Sequence, residues 1–281
     1  MIAENSCIRA AYAAARLDYL QGRQKSINWA MQMGISPLPV APAQDPSIYP
    51  AKTKAGNIQR DGNENPKPAY NRKNPSWLDQ TGSPHLLKHS QFMCRRPSQQ
   101  QLDKWFANPL NGIGFLGTAT TVLIDLDAKH FPSLEDCQRG FESWIAQYPA
   151  LASTWIERTT SGGYRLIVRI LQGSPTFRFA FSPGGAHVGE VLAEGSFAVV
   201  APTIGPSGKP YVAIARNTPI TVESLDRIGV FPAAKSAQPA ARSTKRQPSI
   251  SKTQPKKYQL FSSEAAIPLN RLLSQKALQV L

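Results

Sequence analysis

From Gly112 to Ile170 short apolar runs follow one another across tight turns, and this stretch constrains the fold more than any other. GIGFLG, TVLIDLD, STWIER and GYRLIVRI each gather β-branched, aromatic and other apolar residues over a length suited to a strand. A helical segment from Leu134 to Tyr148 separates the second run from the third, and HVGEVL, FAVVAP and YVAIA continue the series. Strands interrupted by single helices predict an α+β fold, with a mixed or antiparallel β-sheet and flanking helices.

In the TVLIDLD strand side chains alternate between faces. Asp125 and Asp127 therefore project with Leu123, while Val122, Ile124 and Leu126 point the other way. Carboxylates this close raise each other's proton affinity unless a cation intervenes, and hard divalent ions take carboxylate oxygens. The pair is a candidate metal site. It is not an EF-hand, because Ala128, Lys129 and His130 follow where that loop requires further ligands and a glycine. A Walker-type phosphate loop is also excluded. The only Gly-Lys pair, Gly208-Lys209, lacks the GxxxxGK spacing and is followed by Pro210.

Two other segments carry chemistry. In ERTTSGGYRLIV, Ser161, Gly162 and Gly163 form a tight turn opening a strand, with hydroxyl and N–H groups suited to phosphate oxygens. Arg165 and Arg169 share one face of that strand, where guanidinium forks are able to neutralise a triphosphate. In HVGEVLAEG, Glu190 sits mid-strand among Val188, Val191 and Leu192. An acid in such a place needs a partner, and a third metal ligand supplies one.

The flanks read more simply. Ala10–Tyr19 and Ile27–Met33 are two helical stretches, the second ending at Gly34, and ISPLPV is an edge strand interrupted by prolines. Residues 41–84 read as loop. A helix resumes near Ser98, stacks Leu102, Trp105 and Phe106 on one side, and stops at Asn108-Pro109. Between Pro232 and Gln259 seven Lys and Arg residues occur with no acid, the composition of a flexible basic linker. The organisation expected is an N-terminal helix over 1–26, a main domain over 27–231, the linker over 232–260, and the start of a further segment over 261–281.

Thirty-two Lys and Arg against eighteen Asp and Glu give a net charge of +14, which attracts polyanions such as nucleic acid or an anionic membrane surface, and charge alone does not choose between them. No run approaches the roughly 20 apolar residues that cross a bilayer, and the N-terminus lacks a signal-peptide layout, so no membrane partner and a cytoplasmic location are expected. Cys7, Cys94 and Cys137 are odd in number and far apart, which suits reduced thiols. His85, His89 and Cys94 have only spacing in favour of a metal and read as surface residues.

The order WFANPLNGIGFLG, TVLIDLD, TTSGGYRLIV and VGEVLAEGSFAVVAPTIGPSGKPY resembles the bifunctional DNA primase/polymerase domain of the archaeo-eukaryotic primase superfamily, over Ile27 to Ala213. The resemblance places that family's acid-x-acid motif on Asp125 and Asp127. Its single later acid falls on Glu190, ahead of a strand that ends at Pro202-Thr203. These three are then the catalytic acids and hold two divalent ions, Mg2+ or Mn2+. The family's Ser-Gly-Gly-x-His motif, which grips the incoming nucleotide, falls on Ser161, Gly162, Gly163 and Tyr164, with Arg165 in the histidine position.

An arginine binds triphosphate oxygens through a planar fork but cannot act as a neutral imidazole. His187 is no substitute, because in a regular strand it points away from the face of Glu190. Lys129 and Arg169 are further candidates for phosphate contacts. The activity implied is template-directed DNA priming and polymerisation on single-stranded DNA from (d)NTPs, in replication of a plasmid, phage or mobile element. A replicative helicase is the implied partner, since similar domains precede one and PLNRLLSQKALQVL resembles its beginning. The alternative that Arg165 leaves open is a catalytically impaired, nucleic-acid-binding replication accessory.

Overall fold

The computed structural model describes residues 2–234, with side chains from residue 13 onward. Most of the basic linker and all of the segment over 261–281 lie outside the described residues. The first element, α1 (Ile2–Gln32), joins the two helical stretches into one. Gly22, the only glycine between them, costs a helix just about 1 kcal/mol, which the surrounding turns and packing override.

Next come β1 (Ser36–Val40), the short ribbon β2 (Ser76–Leu78) and β3 (Pro84–Leu86), α2 (Gln99–Phe106), β4 (Gly112–Leu116) and β5 (Thr121–Leu126). α3 (Leu134–Gln147) is followed by β6 (Trp155–Arg158), β7 (Tyr164–Ile170), β8 (Phe177–Ala180), β9 (Gly189–Leu192) and β10 (Phe197–Val199). The described chain closes with β11 (Val212–Arg216) and two-residue strands β12 (Thr221–Val222) and β13 (Phe231–Pro232).

Helix starts follow local chemistry. Ser98 caps α2 through the Gln101 N–H while the Gln101 side chain returns to the Ser98 N–H. Ser133 caps α3, whose first turn carries Glu135 and Asp136, favourable charges at that end of the helix dipole. The α2 exit is closed from outside. Arg23 of α1, 7% exposed, donates to the carbonyls of Phe106 at 2.9 Å, Asn108 at 3.2 Å and Asn111 at 2.6 Å.

The strands form two stacked layers. An eight-stranded sheet has the order β11-β6-β7-β5-β9-β8-β13, antiparallel throughout except for β12, which adds to β7 in parallel. A three-stranded antiparallel sheet, β1-β4-β10, has β1 at its edge as its prolines require. One face of the large sheet presents Val122, Ile124, Leu126 and Leu166 to Phe141, Trp144 and Ile145 of α3. The other presents Leu123, Trp155 and Ile167 to Ile113 and Phe115 of β4, Trp29 of α1 and Trp105 of α2. The fold is α+β, and the alternation expected for β5 holds. No helix among the described residues is long and apolar enough to cross a membrane.

Candidate active site

The site begins with a hairpin. Thr159 and Gly163 close a three-residue loop, with the Thr159 N–H donating to the Gly163 carbonyl at 2.9 Å and the Gly162 N–H to the Thr159 carbonyl at 3.0 Å. Gly162 has φ of 89°, a left-handed backbone suited to the residue that ends such a loop. Gly163 then passes so close to β5 that a Cβ would lie 2.2 Å from the Leu126 carbonyl oxygen. The turn therefore sits beside the end of β5, next to Asp127, with Ser161 exposed. Tyr164 points to the α3 side of the sheet, stacked on Phe141 at 4.0 Å between ring centroids.

Backbone pairing then lines up one charged row. Glu157 on β6 is opposite Arg165 on β7, Arg165 opposite Asp125 on β5, Asp125 opposite Glu190 on β9, and Glu190 opposite Arg178 on β8. Directly paired residues share a face, with Cβ atoms about 4.5–5.5 Å apart. Charge alternates along the row at every step except from Asp125 to Glu190.

At the buried end of the row Arg165 is 4% exposed and Glu157 0%. Arg165 Nη1 donates to Glu157 Oε1 at 2.8 Å and to the Val199 carbonyl, and Nη2 donates to Asp125 Oδ2 at 2.9 Å. The guanidinium also lies 5.4 Å from the centre of the Tyr211 ring. Glu157 Oε2 accepts the Ala201 N–H at 2.9 Å and the Trp155 indole N–H at 3.4 Å. Burial pushes the Glu157 carboxyl up, opposed by Arg165, the Ala201 N–H and the indole. Burial works equally to discharge Arg165, but the carboxylates of Asp125 and Glu157 outweigh it and raise its pKa.

At the open end Asp127 pairs with Lys129. That ammonium has its pKa raised, first by its hydrogen bond to Asp127, against the effect of burial, and further by the charges of Asp127, Glu190 and Asp125. Lys129 thus lies within the field of all three acids. His130 lies against His187 with the rings tilted and their centroids 3.9 Å apart, and burial, then His187, pushes the His130 imidazole down.

Of the residues read from the sequence, the fold gathers Asp125, Asp127, Glu190, Lys129, Arg165 and the Ser161–Gly163 turn at one end of the large sheet. Arg169 is four residues farther along β7, about 13 Å from Arg165 at strand rise. It donates to the Met33 carbonyl at 2.7 Å, at the exit of α1. His85 pairs with Asp79 at 2.9 Å and stacks on Trp77, while Cys94 is an exposed thiol.

Glu157, Arg178 and Tyr211 were not singled out by sequence. A signal for Arg178 existed: Phe177 and Phe179 of β8, and Phe181 just beyond it, pack toward the α3 side, which places Arg178 on the acid face.

A divalent ion suits the donor chemistry here, since carboxylates supply hard oxygens and Asp125 and Glu190 are directly opposed like charges. As arranged, among the described residues no three His, Cys, Asp or Glu side chains stand close enough to hold a metal. Asp125 is drawn to Arg165 and Asp127 to Lys129.

The stacked sheets, the acid row and the adjoining glycine turn define a primase-like α+β core. Residues 29–227 match the family described as bifunctional DNA primase/polymerase, N-terminal, and the chain belongs to that family. Membership implies a nucleotidyltransferase working on a DNA template with nucleotide substrates, and the family generally uses divalent metals. A search among curated proteins finds no match.

Proposed function

We propose that the chain is a template-directed DNA primase/polymerase serving replication of a plasmid, phage or mobile element in the cytoplasm. One observation carries the reading: the like-charge step between Asp125 and Glu190 in an otherwise alternating row, beside a Ser-Gly-Gly turn. A structural row of ion pairs has no use for such a step, whereas a cation site needs it.

Asp125, Asp127 and Glu190 would hold two divalent ions, Mg2+ or Mn2+, with Lys129 displaced from Asp127. When bound, these ions stabilise the attacking and leaving oxygens of the phosphoryl transfer. Ser161 and the backbone of Gly162 and Gly163 hold the triphosphate, with Lys129 free to contact it after release. The primer 3′ oxygen would then bond to the α-phosphorus as the bond to pyrophosphate breaks, its hydroxyl proton passing to water. The basic residues of 232–260 hold single-stranded template through salt-dependent contacts. A replicative helicase is the partner in this reading.

Primer extension on a single-stranded template with Mg2+ or Mn2+ tests it. Incorporation that Asp125→Ala abolishes is the expected result. Template binding without incorporation by the unmutated protein overturns it and leaves the accessory reading, to which Arg165 in the histidine position points.

A further inference from the structure

We infer that Arg165 is a positioning residue for Asp125, fixed in turn by Glu157, and that it does not grip the substrate triphosphate. The inference rests on the metal-site reading above but assigns Arg165 and Glu157 a different task from nucleotide contact.

Both terminal nitrogens of the guanidinium are committed to protein acceptors, on three different strands. Nη1 serves Glu157 Oε1 on β6 and the Val199 carbonyl on β10, and Nη2 serves Asp125 Oδ2 on β5. The remaining Nε has no partner but is itself buried. With 4% of the residue exposed and Tyr211 over the guanidinium, no triphosphate reaches it without the row coming apart.

Glu157 is immobile for its own reasons. It has no exposure, and its two oxygens accept from Arg165, the Ala201 N–H and the Trp155 indole. A carboxylate so enclosed holds Arg165 in one rotamer, and Arg165 holds Asp125 by a single oxygen. Arg165 takes Oδ2 of Asp125, a side chain that is 27% exposed, which leaves Oδ1 for the open end of the row. Glu157 also supplies a negative charge that offsets Arg165. Without it the guanidinium would act on Asp125 as an uncompensated cation and weaken any divalent ion there.

The test compares Mn2+ affinity, by calorimetry on the whole protein without nucleotide, with the KM for nucleotide and the unfolding midpoint. Glu157→Gln keeps the shape and removes the charge. Arg165→Lys keeps the charge but cannot reach both acids at once. Both are expected to weaken Mn2+ binding about 10-fold or more, the size typical of partners to metal ligands. Nucleotide KM at saturating Mn2+ should stay within about twofold.

Mn2+ affinity unchanged in both variants, with nucleotide KM raised 10-fold in Arg165→Lys, overturns the inference and returns Arg165 to the triphosphate. Loss of folding in both variants also overturns it, leaving the trio as a structural tie alone. Absence of Mn2+ binding by the unmutated protein is a different failure, that of the metal-site reading itself.

Discussion

Asp125 and Glu190 face each other directly across β5 and β9, two acids side by side on one face of the sheet. Opposed like charges in a sheet are destabilising by roughly 0.2–1 kcal/mol. Glu190 is also opposite Arg178, so in EDTA Glu190→Gln relieves one pairing and loses another and should shift the thermal unfolding midpoint by less than about 3 °C for a chain of this size. Saturating Mg2+ should raise the midpoint of the unmutated protein, because a ligand that binds only the folded state stabilises it. It should leave Glu190→Gln nearly unmoved. Equal responses of the two proteins in differential scanning fluorimetry would count against a cation at this step.

Gly163 brings the Ser161–Gly163 turn against the central strand. A Cβ there would lie 2.2 Å from the Leu126 carbonyl oxygen and 3.1 Å from the Ala128 nitrogen, both main-chain atoms that cannot rotate away. Gly163→Ala should cost at least about 2 kcal/mol, in the range of overpacked interiors. A urea titration should show a lower midpoint with an unchanged slope. A variant as stable as the unmutated protein would mean that the strand end yields freely.

Much of this arrangement was legible in the sequence because local rules reach far in a hairpin. A Ser161–Gly163 turn between two strands was readable, and once the structure fixes the loop as Thr160–Gly162, counting outward from Thr159 and Gly163 sets Glu157 opposite Arg165. The alternation along TVLIDLD likewise separates Asp125 from Val122, Ile124 and Leu126. What local rules do not carry is which strand lies beside which: that β9 joins β5, setting Glu190 opposite Asp125, depends on closure across sixty-five residues. The strands β12 and β13, two residues each, have too little periodicity to register. Arg165 illustrates the limit best. Its place in a motif suggested a ligand contact, yet its burial between Glu157 and Asp125 is a property of three strands together.

Away from the site, the β2–β3 ribbon has a pH-sensitive pin. The hydrogen bond from His85, followed by those from Thr81 and Ser83, holds the Asp79 carboxyl well below the usual carboxylate range. A depressed carboxylate pKa contributes stability that is present above the unfolded value of about 3.9 and is lost as pH falls through the folded value. The midpoint of Asp79→Asn should accordingly lie below that of the unmutated protein at pH 5 to 6. The gap should narrow progressively below about pH 4, where the unfolded carboxyl is already protonated. Thermal melts across that range check it, and a gap that widens on acidification would refute the assignment.

Lys129 places its ammonium among Asp127, Glu190 and Asp125, so it occupies the field that a divalent ion would require. Competition between the two follows from that position. Because the lysine side chain is 67% exposed, its pair with Asp127 is worth at most about 1 kcal/mol, or about fivefold in an equilibrium. Lys129→Met should tighten Mn2+ binding by up to about that factor, measured by calorimetry without nucleotide. If Lys129 also contacts phosphate after release, the same variant should raise the nucleotide KM in primer extension. Tighter metal with weaker nucleotide would thus identify a side chain that serves the acids first and the substrate second. Unchanged Mn2+ affinity would show that the ammonium does not compete for the site.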